Sequence, residues 1–226
     1  MRSILKRRFL DNISNNKIIG LYKINDDHLN KNQEKFFFKK LNKMISKHDL
    51  VIVSDYGHGL ISNKSASTIC KRSKYLALNA QVNAANVGYH SMRKYKNVDC
   101  VIINEKEIRH ELREKNEKIE VLMKQLSKEQ NIKNLIVTRG NKGSTLFNKK
   151  NNKFNLCDAY AKTAVDKIGA GDAMLALIST CLKSDFSKDL SLLLASIAAA
   201  QSVATIGNKE SISKVKTLKS LENILK

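Results

Sequence analysis

The chain has 226 residues, 42% of them hydrophobic, which is enough to close a substantial core and too apolar for a disordered segment. Its 41 lysines and arginines against 21 acids give a net charge of +20, but the cations are mostly lysine, lie scattered along the chain and have no aromatic-rich run beside them. A solvated basic surface is therefore favoured over nucleic-acid binding. Cys70, Cys100, Cys157 and Cys181 form no CxxC pair and the five histidines show no metal-ligand spacing, which argues against a disulfide framework or a zinc site and fits a reducing cytoplasm. No apolar run reaches the length of a bilayer span, and no membrane association is expected.

In chain order, ILKRRFLDN and KIIGLYKIN suggest two strands, followed by a basic helix over residues 30–47. From residue 50 short apolar runs alternate with helix-like segments. LVIVSD (50–55), YLALNA (75–80), DCVIINE (99–105) and NLIVTRG (134–140) read as strands. Between them lie ISNKSASTICKRSK, a segment around AANVGYHSMRKY, and the charged stretch EKEIRHELREKNEKIEVLMKQLSKEQ. In the last, Ile108, Leu112, Ile119, Leu122, Met123 and Leu126 fall near helical spacing on one face. The alternation predicts an α/β fold, a parallel sheet covered by helices. GSTLFNKKNNKFNLCDAY then reads as a hairpin, followed by apolar helices over 170–183 and 188–206 and a short helix near 217–225.

Ligands of open parallel sheets collect at the carboxyl ends of the strands. Four polar segments sit at such places: SDYGHG (54–59), NEKE (104–107), TRGNKG (138–143) and DKIGAGD (166–172). Each has a plain reading when taken alone. Glycines serve turns, Asn104 caps a helix with Glu107 near its positive end, and Asp172 is an ordinary first-turn acid. Asn79, Gln81, Asn83 and Asn86 read most simply as polar turn residues ahead of a helix. The GAGD run also allows a chemical reading. Gly169, Ala170 and Gly171 leave backbone N–H groups accessible to a phosphoryl group, an anion hole, and Asp172 beside them suits a general base.

Together and in this order the four segments resemble the ribokinase-like, or PfkB, carbohydrate kinases, with DxxGAGDA at 166–173 the most specific of them. KRRFLDN, DYGHG, LNAQVNAANVGY and NEKEIR are most similar to the heptose-phosphate kinases of the ADP-heptose synthase type. The resemblance covers nearly the whole chain and implies a mostly parallel sheet with helices on both faces, incomplete at the amino-terminal end. Residues 1–25 are then expected to be remnant lid strands, and 26–226 the carboxyl-terminal two-thirds of the kinase domain.

The implied activity is ATP-dependent phosphorylation of a sugar or sugar-phosphate hydroxyl, with Asp172 as base and residues 169–171 as anion hole. In the NxxE element, Asn104 and Glu107, with Glu105 and Lys106 between them, would organise magnesium and the nucleotide phosphates. Thr138, Gly140 and Gly143 would lie along ATP, and Gly207 with Asn208 would close the nucleotide pocket. Asp166 matches an acid associated with a monovalent cation, although Lys167 stands where threonine is usual. Asp55 is expected at the substrate, and His58 stands where many relatives carry lysine. The family's glycine-rich sugar-binding front is not found. A fragment, half of a split enzyme paired with a complementing chain or a second copy, and an inactive nucleotide-binding module are therefore all expected alternatives.

Overall fold

Parallel strands covered on both faces read as continuous apolar runs, and the four such runs fold as β3 (Val51–Asp55), β4 (Leu76–Ala80), β5 (Cys100–Asn104) and β6 (Asn134–Thr138). The computed structural model describes residues 4–11, 17–24, 27–82, 86, 88–161, 164–166, 168–206 and 209–226. Asn83, Lys167, Gly207 and Asn208, all singled out in the sequence, lie outside the described residues. Strands β3 to β6 pair parallel in chain order, and the hairpin β7 (Ser144–Asn148) and β8 (Lys153–Cys157) extends the sheet antiparallel. The strands β1 (Leu5–Leu10) and β2 (Lys17–Lys23) form a separate antiparallel ribbon.

Alternation along the strands sends successive side chains to opposite layers. Val53, Leu76, Leu78, Val101, Ile103, Leu135 and Val137 meet one group of helices: α1 (Lys31–Ile45), α2 (Asn63–Arg72), α3 (Glu105–Leu112) and α4 (Ile119–Gln130). Ala77, Cys100, Ile102, Ile136 and Leu146 face the other way, against α5 (Ala170–Lys183) and α6 (Lys188–Val203). A last helix, α7 (Lys214–Leu225), starts earlier than its apolar residues suggest because Ser213 caps it, its side chain accepting from the Lys216 N–H. The result is the three-layered α/β architecture expected from the alternation. Among the described residues, no helix is long and apolar enough to cross a membrane.

Two expectations change. The stretch between β4 and β5 carries only a 3-10 turn, Met92–Lys94, among its described residues. Its apolar side chains fill the core in place of a helix face: Met92, Tyr95 and Val98 are all buried. The charged stretch after β5 is two helices and not one. Arg113 takes a left-handed conformation (φ 54°), and the Arg109 guanidinium donates to the carbonyls of Lys115 and Glu117, tying down the polar link between α3 and α4.

β3 is an edge strand, paired with β4 alone among the described residues. Its last residue, Asp55, is 5% exposed and points into the layer of α2 and the 3-10 turn. There it takes the Lys94 ammonium at 2.7 Å, the Tyr95 hydroxyl at 2.7 Å and the Gly57 N–H at 2.9 Å. Strand alternation turns this carboxylate, expected at the substrate, toward the layer that holds Lys94 and Tyr95, while the residues on either side of it face α5. Burial alone would raise its pKa, but the hydrogen bonds from Lys94, Tyr95 and Gly57 outweigh that and hold it below the ordinary carboxylate value.

A carboxylate depressed in the folded state adds stability that is present above its unfolded pKa and lost as pH falls through the folded one. Urea denaturation should therefore show the protein weakening below about pH 3.9, the ordinary aspartate value, with a smaller acid-side loss in Asp55→Asn. At neutral pH Asp55→Ala should cost about 1–3 kcal/mol, because it takes the carboxylate from the partly buried Lys94 ammonium, which keeps the Ile61 carbonyl, and from the buried Tyr95 hydroxyl.

Candidate active site

The parallel strands deliver their carboxyl ends to one edge, and the amino terminus of α5 arrives at the same edge. Gly169 is the residue before α5 and adopts φ 86°, a left-handed conformation that glycine takes without strain. Among the described residues no side chain caps this helix, so the N–H groups of its first turn are available to an anion. The segment is anchored from behind by α6, where the N–H groups of Val165 and Asp166 both donate to the Val203 carbonyl, at 2.8 and 3.2 Å. The Asp166 carboxylate accepts from the Ile168 N–H at 3.0 Å and so shapes the turn that precedes the glycines. A Cβ on Gly171 would meet nothing within 4 Å, which leaves open space over the first turn.

Asp172 is exposed in that first turn, and two hydroxyls from the end of β3 reach it. Ser54 Oγ donates to Oδ1 at 3.4 Å, and the Tyr56 hydroxyl donates to Oδ2 at 3.3 Å. Sequence reasoning named the SDYGHG segment but chose Asp55 from it, whereas the neighbours Ser54 and Tyr56 are the ones facing α5. The signal that could have found them is the period of two: if Asp55 points to one layer, residues 54 and 56 point to the other.

At the ends of β5 and β6, Asn104 and Thr138 are directly paired in register. Asn104 and Glu107 form a complete capping box. The Asn104 side chain accepts from the Glu107 N–H at 2.9 Å, and Glu107 Oε2 accepts from the Asn104 N–H at 3.0 Å. Glu107 Oε1 accepts in addition from the Val82 N–H at 3.1 Å, which ties α3 to the loop after β4. Burial raises the Glu107 pKa, against the lowering effect of these hydrogen bonds. Glu105 accepts from Arg109 at 2.9 Å and from Arg139 at 3.1 Å, joining the NEKE and TRGNKG segments by an ion pair that sequence reasoning did not foresee. The Arg109 hydrogen bond, joined by Arg139, holds the Glu105 carboxyl below its usual range despite partial burial. Lys106 is exposed on the first turn of α3.

The two glycines of TRGNKG differ in purpose. Gly143 (φ 78°) packs against the start of the link after β8, where a Cβ would stand 2.1 Å from the Cys157 carbonyl oxygen. Gly140 (φ 60°) faces open space. The described residues hold no group of three or more His, Cys, Asp or Glu side chains able to grip a metal directly. Asn104 and Glu107 offer oxygens that already accept backbone N–H groups, a pair that suits a magnesium ion keeping its waters better than one stripped of them.

Residues 22–215 match the family model described as pfkB family carbohydrate kinase. The chain belongs to this family. Among curated proteins, the bifunctional protein HldE of Campylobacter concisus is 31% identical over 162 residues, 70% of this chain and 33% of that protein. HldE of Campylobacter curvus is 31% identical over 180 residues, 78% of this chain and 37% of that protein. The chain thus matches about a third of the length of these relatives, 33% and 37%. Escherichia coli phosphofructokinase-2 in complex with fructose-6-phosphate superposes with a TM-score of 0.74 at 13% identity, over 100% of this chain and 71% of that one. Thermotoga maritima ribokinase gives 0.71 at 19% identity, over 98% and 70%. At such identities the superpositions establish the ribokinase-like fold, and the family model establishes the sugar-kinase membership.

The glycine geometry separates two substitutions of this pfkB chain. Gly143→Ala should lower thermal stability by about 1–3 kcal/mol through overpacking and left-handed strain. Gly171→Ala should keep or raise the melting temperature, since its Cβ meets nothing within 4 Å and alanine favours a helix by about 0.5–1 kcal/mol.

Proposed function

We propose that the chain transfers the γ-phosphoryl group of ATP to a hydroxyl of a sugar phosphate, with a heptose phosphate the favoured acceptor. The observation that carries this reading is the first turn of α5: uncapped N–H groups over Gly169–Gly171, open space above Gly171, and the exposed Asp172 carboxylate one residue further. The N–H groups stabilise the charge of the transferring phosphoryl group. Asp172 accepts the proton of the attacking hydroxyl. Thr138, Gly140 and Gly143 run beside the nucleotide, with Gly140 open to it, and Arg139 keeps that loop on α3 through Glu105. Asn104 and Glu107 would hold a magnesium ion, and Asp166 would serve a monovalent cation. The magnesium, when bound, neutralises phosphate charge.

The acceptor class is supported by the ribbon. Lys6 and Arg8 are two apart on β1 and therefore share a face, and Lys6 Nζ lies 5.2 Å from the centroid of the Tyr56 ring, beside Asp172. Acting as a lid, this ribbon brings two cations to the acceptor side of the site, which suits a phosphorylated sugar better than a neutral one. The similarity to HldE proteins and the KRRFLDN, DYGHG and NEKEIR segments favour a heptose. A second reading, a kinase completed by another chain or a second copy, is favoured by one observation. β3 leaves its outer edge unpaired among the described residues and Ile52 is 43% exposed on it, a surface that invites strand addition.

The test is ADP release over a panel of heptose and hexose phosphates and their unphosphorylated parents. Phosphorylated acceptors should be preferred, and Asp172→Asn should lower kcat by about 10²–10⁴-fold. Equal rates in wild type and Asp172→Asn would remove Asp172 from its role, and a preference for neutral sugars would overturn the acceptor class.

A further inference from the structure

The end of β3 contributes a side chain that neither the glycine-rich signature nor the NxxE element includes. Tyr56 lies in the turn after the strand, and that turn is unusually well held. The Asn86 side-chain amide donates to the Tyr56 carbonyl at 2.8 Å and to the Gln81 carbonyl at 2.9 Å, linking it to the loop after β4. On the far side of the backbone the buried Asp55 accepts from the Gly57 N–H, and Asp55 is itself locked to Lys94 and Tyr95. Gly57 has φ 69° and lies against the His90 ring, where a Cβ would come within 2.5 Å. The turn therefore admits no larger residue at position 57, and Tyr56 projects from a fixed base.

From that base the Tyr56 hydroxyl donates to Asp172 Oδ2, while Lys6 of the ribbon lies over the ring face. The ring thus bridges the ribbon and the first turn of α5. We propose that Tyr56 is a positioning residue for Asp172, orienting its carboxylate for the acceptor hydroxyl. The inference rests on the kinase reading above. An ionised carboxylate has about four acceptor sites. The hydroxyls of Tyr56 and Ser54 use one on each oxygen, leaving the others for the acceptor. At 3.3 and 3.4 Å both hydrogen bonds are long, as catalytic hydrogen bonds commonly are before substrate arrives and tightens them. A hydroxyl donor suits this place because it fixes the carboxylate's orientation without bringing the full positive charge that would hold the base against proton transfer. The electrostatics agree with the contact. Burial and the Asp172 charge push the Tyr56 phenol up, partly offset by the Ser54 hydrogen bond and the Arg8 charge.

Tyr56→Phe keeps the ring and its seat for Lys6 while deleting the donor. It should lower kcat about tenfold, a modest share of the general-base contribution, and leave KM for ATP unchanged, with an unaltered melting temperature. In the Asp172→Asn background the same substitution should cost nothing further, because its effect acts through the carboxylate. A wild-type rate in Tyr56→Phe, or an equal additional loss on top of Asp172→Asn, would overturn the inference. A measurement that needs no turnover runs beside it: NMR titration of ring-labelled tyrosine, with Tyr56→Phe assigning the signal. Asp172→Asn should move the Tyr56 titration to lower pH, and an unmoved titration would show that the two groups are not in contact and sink the proposal. If the wild-type chain phosphorylates no acceptor in the panel, the kinase reading fails by itself, and the titration still decides whether Tyr56 and Asp172 are coupled.

Discussion

Parallel strands buried on both faces can present polar groups only at their ends, and this constraint organises the molecule. β4, β5 and β6 are apolar and covered along most of their length, so any residue meant for chemistry must wait until the strand stops. Because the strands run the same way, their stopping points share one edge. Asn104 and Thr138 are neighbours there through backbone pairing, and the uncapped start of α5 reaches the same edge by way of the layer it packs in. The helix brings partial positive charge and unpaired donors to a place already rich in strand-end polar groups.

Carboxylates around this edge divide by environment. Asp55 is buried and paired with a cation, and its pKa is lowered; Glu107 is buried against neutral amide donors, and its pKa is raised. The difference lies in the partner, since an ammonium compensates lost hydration more completely than amide dipoles do. Both carboxylates brace loops: Asp55 holds the turn that carries Tyr56, and Glu107 ties the loop after β4 to α3. Asp172, in contrast, stands exposed at a helix start, where a reacting group can approach it.

The basic excess also has structure to it at one place. Most lysines lie on solvated surfaces, but Lys6 and Arg8 share the face of β1 that looks toward Tyr56. Lys6 lies over the Tyr56 ring, whose hydroxyl donates to Asp172 in the first turn of α5, so the ribbon stands next to that helix start. The same net charge of +20 that says little by itself gains sense where geometry gathers part of it beside an acid.

Much of this was legible in the sequence, and for identifiable reasons. Apolar runs of four or five residues bounded by polar turns announce buried strands, and the GAGD stretch announces a backbone that must come close to something, because only glycine supplies φ 86° at Gly169 without strain. The family followed from the order of such local signals. Other features depend on pairs far apart in the chain. Ser54 and Tyr56 meet Asp172 across 118 and 116 residues, and Arg139 finds Glu105 across 34. The direction of Asp55 depended on which layer the last residue of β3 faces, a register that a short edge strand does not reveal. The sequence by itself determined the strand-and-helix alternation and the glycine-bearing helix start, since both are local demands on the backbone. Tertiary structure decided which acid is buried, which is exposed and which hydroxyls hold it, because those outcomes follow from the packing of layers that no single segment contains.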